Sequence, residues 1–276
     1  MRAAAVQLTA TADKARNLAT ADRLVRQAAA DGAQLVVLPE KWPIIGSGTT
    51  PRDGAEALDG PAITWARGAA AELQIDLIAG SLSERVEGEE KLRNTSVHIG
   101  PTGQVHAVYR KVHMFDVEVD GTVYRESEHE APGDKAVLTE TVDGVGLGMT
   151  VCYDLRFPEL FRILAVRGAR ILVLPSAFTL ATTRDHWEPF VRARAIENQA
   201  FVVAADQVGT HPPDKESYGG SMVVDPWGEV LARVPEGEGF AAAHLDLARQ
   251  DEVREQLPSL ANRVPGAYRW PEEVRA

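Results

Sequence analysis

The chain has 276 residues, of which 45% are apolar and 25% are charged, as expected for a globular protein. Its 29 Lys and Arg against 40 Asp and Glu give a formal net charge of −11. With no Lys/Arg-rich stretch, this charge disfavours a nucleic-acid partner and an anionic membrane surface. Cys152 is the only cysteine, which excludes an internal disulfide and a Cys-x-x-Cys metal or redox pair.

The N-terminal sequence MRAAAVQLTA has neither the charged region followed by a sustained apolar stretch nor the cleavage site of a signal peptide. We interpret it as the first strand of a cytoplasmic protein. Apolar runs such as Leu35–Leu38 are far shorter than the roughly 18 residues that a membrane-spanning helix requires. We therefore expect no membrane association.

The first half of the chain alternates strands and helices. After a strand over Ala3–Leu8, apolar residues at helical spacing predict a helix from about Ala12 to Ala30, ended by Gly32. The elements that follow are a buried strand over Leu35–Leu38, a helix over Ile63–Leu73, a strand over Asp76–Ser81, and a hairpin whose strands, Thr95–Ile99 and the one ending at Tyr109, flank the turn Gly100–Gly103.

The second half repeats this order. Gly32, Ala33, an apolar run and Pro39 recur as Gly168, Ala169, an apolar run and Pro175. The hairpin turn recurs at 225–228, and strands over 145–151 and 201–204 correspond to the first and third strands of the first half. Short matches of this kind arise by chance in Ala- and Val-rich chains, but agreement of several elements in one order favours an internal repeat.

Each half would form one sheet with its helices on one face, which leaves the other apolar face uncovered. Stacking the two sheets covers both faces. The pattern therefore predicts an α/β fold, a four-layer α-β-β-α sandwich with an internal pseudo-two-fold repeat, as a single domain over residues 1–276. The tail from about 264 to 276 is too short to fold alone, and we expect it to pack on the body or on a partner subunit.

Three residues occupy positions where α/β proteins place reactive groups, beyond the carboxyl ends of strands. Glu40 follows a buried strand, Lys111 ends the hairpin strand, and Cys152 lies between a strand and a helix whose Pro158 suits a first turn. A thiol there is near positive dipole ends that favour the thiolate. Each residue also has an ordinary alternative: a loop carboxylate, a solvated lysine and a small buried hydrophobe.

The sequence does not match the motifs of other common enzyme classes. GVGLG at Gly144–Gly148 resembles part of a dinucleotide-binding motif but starts a strand, where no helix N-terminus is available for a pyrophosphate. His186-Trp187-Glu188 has the H-x-E pattern of zinc deaminases without the cysteine pair. We expect no metal and no organic cofactor.

With Glu40, Lys111 and Cys152 in that order, the chain resembles the nitrilase superfamily of carbon–nitrogen hydrolases from about Ala4 to Tyr268. The resemblance rests on long motifs in the family's order: LVVLPE, YRKVHMFD, GMTVCYDLRFPEL, LPSAF, HWEPFVRARAIENQAFVVAA and SYGGSMVVDPWGEVLA. It implies the α-β-β-α sandwich. It also implies a homodimer or higher homo-oligomer in which C-terminal segments reach across subunits.

The resemblance also implies roles for the candidate residues. Glu40 would be the general base, Cys152 the nucleophile and Lys111 a cation that stabilises the tetrahedral oxyanion. Glu126 matches a second family glutamate that positions Lys111 or the substrate. The backbone N–H of Tyr153 is the other candidate oxyanion donor.

Two motifs, RARAIENQAFVVAA and SYGGSMVVDPWG, look most like the deaminated glutathione amidases, with the ω-amidases or another aliphatic amidase or nitrilase as alternatives. The implied reaction cleaves a terminal amide of a small carboxylate-bearing substrate through a cysteine thioester and releases ammonia. Arg156 is our candidate to bind the substrate carboxylate through a two-pronged contact. Its alternative role is a structural salt bridge with Asp154 or Glu159.

Two rival functions stay open from the sequence. One is a cysteine–histidine hydrolase that uses His113 or His186 as its base. The other is a non-catalytic binding protein on the same fold, against which the intact Glu40, Lys111 and Cys152 argue.

Overall fold

The computed structural model describes residues 1–46, 49–119, 121–211 and 215–268. Its strands in chain order are β1 Arg2–Gln7, β2 Leu35–Val37, β3 Asp76–Ile78, β4 Leu82–Glu84, β5 Arg93–Ile99, β6 Val105–Arg110, β7 Asp116–Val119, β8 Thr122–Arg125, β9 Leu138–Glu140, β10 Gly146–Met149, β11 Ile171–Ser176, β12 Phe201–Asp206, β13 Val208–His211, β14 Lys215–Tyr218, β15 Met222–Val224, β16 Val230–Arg233 and β17 Gly239–His244.

In chain order, most helices connect one parallel strand to the next. They are α1 Lys14–Ala30, α2 Thr50–Asp53, α3 Pro61–Leu73, α4 Pro158–Val166, α5 Leu180–Asn198 and α6 Leu247–Gln256. Short 3-10 helices cover Glu126–Glu128, Cys152–Arg156 and Pro265–Ala267.

Two large sheets form the centre of the molecule. The first has the strand order β17-β1-β2-β3-β5-β4, with β6 paired to β5, and the second has the order β16-β15-β12-β11-β10-β9. In each sheet three parallel strands, β1 to β3 or β10 to β12, are followed by an antiparallel hairpin. The two halves of the chain thus build sheets of matching order, while the pseudo-two-fold symmetry itself stays a prediction.

Alternating residues of the first sheet face different layers. Ala3 and Ala5 of β1 pack into a cluster with residues of the second sheet and of α4 and α5. Ala4 and Val6 pack into another cluster, with residues of α1 and α3. Because successive strand residues point to opposite faces, this alternation places the first sheet between the second sheet and its own helices. The predicted α-β-β-α sandwich is confirmed, while a single domain over residues 1–276 stays a prediction.

Local signals locate the helix ends. The predicted helix from Ala12 begins at Lys14 because Asp13 is its N-cap, whose side chain accepts from Arg16 N at 3.0 Å. The left-handed backbone at Gly32, with φ of 86°, follows the helix end.

Two strands are shorter than predicted, and both differences matter for the loops that follow. β10 ends at Met149 instead of Val151, so the chain has already left the sheet when it reaches Cys152. The strand expected over Asp76–Ser81 ends at Ile78 and turns at Gly80, where φ is 48°.

The C-terminal tail is described only as far as Tyr268, and residues 269–276 lie outside the described residues. In the described part the side chains of Val264 and Tyr268 are 60% and 67% exposed. Packing of the tail on the body or on a partner stays a prediction. Among the residues that the structure describes, no helix has both the length and the apolar character needed to cross a membrane.

Gly80 is required by a close approach as well as by its backbone angle. A Cβ at this position would lie 2.1 Å from the carbonyl oxygen of Pro39, next to Glu40. Gly88 also has a positive φ, of 80°, but a Cβ there would meet nothing within 4 Å. Comparing substitutions at the two glycines therefore distinguishes the cost of backbone strain from the cost of a steric clash.

We predict that Gly80→Ala destabilises the protein by about 3 kcal/mol, because it adds a steric clash to an unfavourable backbone conformation. Gly88→Ala should cost only about 1 kcal/mol, the contribution of the backbone alone. Urea denaturation of both variants measures the difference in free energy of unfolding. Equal destabilisation by the two substitutions would contradict the assignment of a close approach at Gly80.

Candidate active site

The three strand-end residues singled out by the sequence converge. Glu40, Lys111 and Cys152 line one cavity of about 670 Å³. They reach it from the loops after β2, β6 and β10 respectively. Parallel strands of stacked sheets bring their carboxyl ends to one side of the molecule, which is why residues so distant in the chain meet there.

The second sheet holds the backbone of Glu40, which itself follows β2 of the first sheet. Its N–H donates to the carbonyl of Ser176 at the end of β11, at 3.2 Å. Its own carbonyl accepts from Gln207 Nε2 at 2.8 Å. The side chain is buried, with 3% of its residue surface exposed, so Glu40 is an acid inside the protein and not a surface carboxylate.

Lys111 forms ion pairs with two carboxylates at once. Its Nζ lies 3.1 Å from Glu40 Oε1 and 3.0 and 2.9 Å from the two carboxyl oxygens of Glu126. Burial by itself would lower the pKa of Lys111, but the charges of Glu126 and Glu40 outweigh it and raise that pKa well above its usual value. Lys111 is therefore a fixed ammonium at the base of the cavity.

Glu126 is the second carboxylate that the family resemblance implied. It starts a 3-10 helix, and its Oε2 accepts from the backbone N–H of Phe115 at 2.7 Å. Burial favours a higher pKa, but the ammonium groups of Lys111 and Lys41 outweigh it and hold the pKa of Glu126 below its usual value. Glu126 is thus an anion that orients Lys111.

Cys152 occupies a strained backbone position. Its φ is 48°, a left-handed value that is costly for a non-glycine residue, and it begins the 3-10 helix Cys152–Arg156. This turn brings the sulfur into contact with the Glu40 carboxyl group and with the backbone N–H of Ala177. The candidate nucleophile and its candidate base are therefore adjacent.

The helix-end dipoles that favour a thiolate at Cys152 are opposed by the surroundings of the sulfur in the folded protein. Burial, followed by the negative charge of Glu40, raises the pKa of Cys152 well above its usual value. Lys111 and the Ala177 N–H act in the opposite direction but do not outweigh these effects. These surroundings favour the thiol, so a nucleophilic role for Cys152 would require a base that takes its proton.

Of the two candidate substrate-binding residues, Tyr153 and Arg156, one lines the cavity and the other does not. Tyr153 lines the cavity, but Arg156 is not among its lining residues. The guanidinium carbon of Arg156 lies 5.9 Å from the ring centre of Tyr153 and 5.4 Å from that of Phe190. Among the described ion pairs, Arg156 has none with Asp154 or Glu159, so the structural alternative weighed for it is wrong.

The two candidate histidine bases are engaged elsewhere. The ring of His113 stacks on Phe157 at 3.6 Å, and its Nδ1 lies 2.7 Å from Asp154 Oδ1. His186 Nδ1 lies 3.3 Å from Arg156 Nη1. Neither histidine is among the residues that line the cavity, whereas Glu40 contacts the sulfur directly. The geometry favours Glu40 over a histidine as the base.

Sequence reasoning missed three polar residues of the site. Asn94 of β5 donates to Glu40 Oε1 at 2.7 Å and to Glu126 Oε1 at 3.3 Å. Lys41 and Glu130 line the cavity and form an ion pair at 2.8 Å. A polar residue in an otherwise buried strand was the available signal for Asn94, but only spatial proximity identifies the other two.

One group of possible metal ligands lies outside this cavity. The ligand atoms of Asp76, His98 and His106 lie within 4.8 Å of one another. His98 is engaged at both ring nitrogens, 3.0 Å from Asp76 Oδ1 and 3.1 Å from Thr139 Oγ1. We interpret this group as a hydrogen-bonded link at the opposite end of the sheets.

A thiol, an adjacent carboxylate and a fixed ammonium in one cavity can together form, stabilise and hydrolyse an acyl-enzyme. On an α-β-β-α sandwich, these groups define a class of cysteine hydrolases whose base is a glutamate. The comparisons with known proteins agree with this class.

The family described as carbon-nitrogen hydrolase matches residues 2–255, so the chain belongs to the carbon–nitrogen hydrolases of the nitrilase superfamily. The chain is 41% identical over 265 residues to the deaminated glutathione amidase of Synechocystis, covering 95% of this chain and 97% of that protein. It is 39% identical over 270 residues to an omega-amidase of Bos taurus, covering 97% and 96%.

Solved structures show the same fold. The C. elegans NitFhit protein superposes with a TM-score of 0.91 at 38% identity, covering 97% of this chain, which spans 66% of that longer protein. An amidase of Nesterenkonia, at a TM-score of 0.80 and 27% identity, covers 97% of this chain and 95% of its own. A Glu-to-Gln variant of that amidase carries the acetamide moiety of fluoroacetamide on its active-site cysteine.

We predict that Cys152 reacts slowly with iodoacetamide at neutral pH, because the folded protein disfavours the thiolate. The reaction rate should still rise above pH 9.0, the ordinary pKa of a cysteine thiol. Mass spectrometry of timed samples measures the rate, and circular dichroism confirms that the protein stays folded. The urea-unfolded chain, whose thiol has an ordinary pKa, serves as the control. A rate for folded protein that levels off near neutral pH would show that Cys152 rests as a thiolate.

Proposed function

We propose that the protein hydrolyses the amide of a small carboxylate-bearing substrate through a thioester on Cys152. The observation that carries the proposal is the buried ammonium of Lys111, held between Glu40 and Glu126 beside the sulfur. Uncharged core residues would stabilise a fold as well. A buried ammonium can instead stabilise the negative charge that develops on a substrate oxygen during a reaction.

The first half of the reaction forms the thioester. Glu40 takes the proton of the Cys152 thiol as the sulfur attacks the amide carbon, which pushes the carbonyl electron pair onto the oxygen. Lys111 and the backbone N–H of Tyr153 stabilise this oxyanion. The electron pair then returns, the C–N bond breaks, and Glu40 protonates the departing nitrogen, which leaves as ammonia or as an amine.

The second half restores the enzyme. A water molecule gives a proton to Glu40 as its oxygen attacks the thioester carbon, and the same donors stabilise the second oxyanion. Collapse breaks the C–S bond, and the proton on Glu40 returns to the sulfur. The carboxylic acid product leaves, and the proposed steps require no metal or organic cofactor.

The relatives named deaminated glutathione amidase and omega-amidase support an anionic substrate. Deaminated glutathione is our first candidate, and an ω-amide of a 2-oxo dicarboxylic acid is the alternative. Arg156 as the contact for the substrate carboxylate stays a prediction, supported by its position behind the cavity-lining ring of Tyr153. The cations that line the cavity itself are Lys41, Lys111 and Arg125.

We predict that Cys152→Ala abolishes hydrolysis, because no thioester can form. Glu40→Gln should lower kcat by about 10²- to 10⁴-fold, because the glutamine side chain cannot accept the thiol proton. Liquid chromatography with mass spectrometry measures the carboxylic product from deaminated glutathione and from 2-oxo acid amides. With a slow substrate, wild-type protein should accumulate an acyl adduct on Cys152.

His113→Gln is the matched comparison for Glu40→Gln. A cysteine–histidine mechanism predicts the opposite ranking, with His113→Gln inactive and Glu40→Gln close to wild type. If wild-type protein turns over no member of a broad amide and nitrile panel and Cys152 resists iodoacetamide even at alkaline pH, the protein is a binding protein on this fold.

We also propose a homodimer or a higher homo-oligomer, and a cytoplasmic location stays a prediction. The support for assembly is a set of exposed apolar side chains, all at least 44% exposed: Ile163 and Val166 of α4, Ile196 of α5 and Trp227. Light scattering should give at least twice the chain mass of 29.9 kDa. Ile196→Lys should reduce that mass toward the monomer, whereas a monomeric wild-type protein would exclude the assembly.

A further inference from the structure

Five ionisable side chains form a cluster at the base of the cavity: Glu40, Lys41, Lys111, Glu126 and Glu130. Glu40, Lys111 and Glu130 are buried, with at most 3% of their surface exposed. If every member were ionised, two positive charges would face three negative charges. Because an uncompensated buried charge is costly, the cluster favours one additional proton.

The hydrogen-bond partners indicate which carboxyl group holds this proton. Glu40 accepts from Lys111 and Asn94, and Glu126 accepts from Lys111 and from a backbone N–H. Glu130 accepts from Lys41 through Oε1 at 2.8 Å. Its Oε2 is buried, with no donor within reach among the described residues.

The carboxyl group of Glu130 also contacts the carboxyl group of Glu126. Two ionised carboxylates in contact repel each other, whereas a proton on one of them turns the contact into a hydrogen bond. The charged groups that face Glu130 in the described chain are Lys41, from the loop after β2, and Glu126, from its own turn. Burial and the charge of Glu126 raise the pKa of Glu130, although Lys41 acts against them.

We infer that Glu130 carries a proton in the resting enzyme and donates a hydrogen bond to Glu126, which makes it a positioning residue for Lys111. Glu126 then binds Lys41 and Lys111 on one side and the Glu130 hydroxyl on the other, so its carboxylate cannot rotate away from Lys111. Lys41 completes the arrangement by holding the other oxygen of Glu130. The catalytic part of this inference rests on the proposed function, whereas the protonation state does not.

Infrared difference spectroscopy at neutral pH tests the protonation state without a substrate. Wild type minus Glu130→Gln should show a protonated carboxylic acid band that the variant lacks. Glu118→Gln, at an exposed position of β7, is the matched control and should leave that band in place. Asp206, whose pKa burial also raises, is unchanged in both variants, so its signal cancels in the difference spectra. If Glu130→Gln removes only ionised carboxylate signal, the inference is wrong.

Turnover tests the positioning role. The side-chain amide of Glu130→Gln still donates to Glu126, so its kcat should stay within about threefold of wild type. Glu130→Met has no donor and should lose about tenfold in kcat with little change in KM, the scale of one buried hydrogen bond. Equal losses in both variants would show that the donor plays no part.

The pH profile adds a readout that a merely structural role would not change. Because Glu130 loses its proton as pH rises through its raised pKa, wild-type kcat should fall on the alkaline side, and the fall should shift to higher pH in Glu130→Gln. An unchanged profile would overturn the inference. If no amide is hydrolysed by wild type, the proposed function fails while the infrared result still decides the protonation state.

Discussion

The buried ammonium of Lys111 is the constraint on which the rest of the site depends. An ammonium with 2% of its surface exposed needs opposite charge in contact, and Glu40 and Glu126 supply it at 3.1 and 2.9 Å. Because Glu40 follows β2, Lys111 follows β6 and Glu126 lies in a separate turn, these contacts also tie three loops together. In the proposed reaction the same positive charge stabilises the substrate oxygen as it becomes negative, so one group would meet both the requirement for charge pairing and the requirement for catalysis.

The architecture explains why such a cluster forms at this end of the sheets. Each sheet contributes three parallel strands, and stacking the sheets brings the loops after β2, β10 and β11 together. The Glu40 N–H bonds to Ser176 of the other sheet at 3.2 Å, which fixes the base relative to the strand that precedes the Ala177 N–H. Positive backbone angles at Lys41 and Cys152 then turn both side chains toward the shared cavity. Strain at two loop positions is compatible with the fold because the surrounding strands are fully buried.

Much of the site could be predicted from the sequence because it depends on strand ends. Glu40, Lys111 and Cys152 each follow a recognisable apolar run, and the motif around Glu126 resembles that of the family. Lys41 and Glu130 could not be found in this way, since neither has a local pattern that distinguishes it from a solvated polar residue. The one local signal for Asn94 was a polar side chain in a buried strand. The raised pKa of Cys152 was also beyond the sequence, because helix-end dipoles are visible in a strand–turn–helix pattern but burial beside Glu40 is not.

The sequence by itself determined the order of the main strands and helices of each half, the similar order of the two halves and the residue types available for covalent hydrolysis. Hydrophobic periodicity and turn residues are local, so these features follow from short stretches of chain. Only the tertiary structure decided that Lys41 and Glu130 join the cluster, that Arg156 lies behind Tyr153 instead of lining the cavity, and that His113 pairs with Asp154. Desolvation and charge pairing depend on groups far apart in the chain, and these interactions exist only after the sheets have stacked.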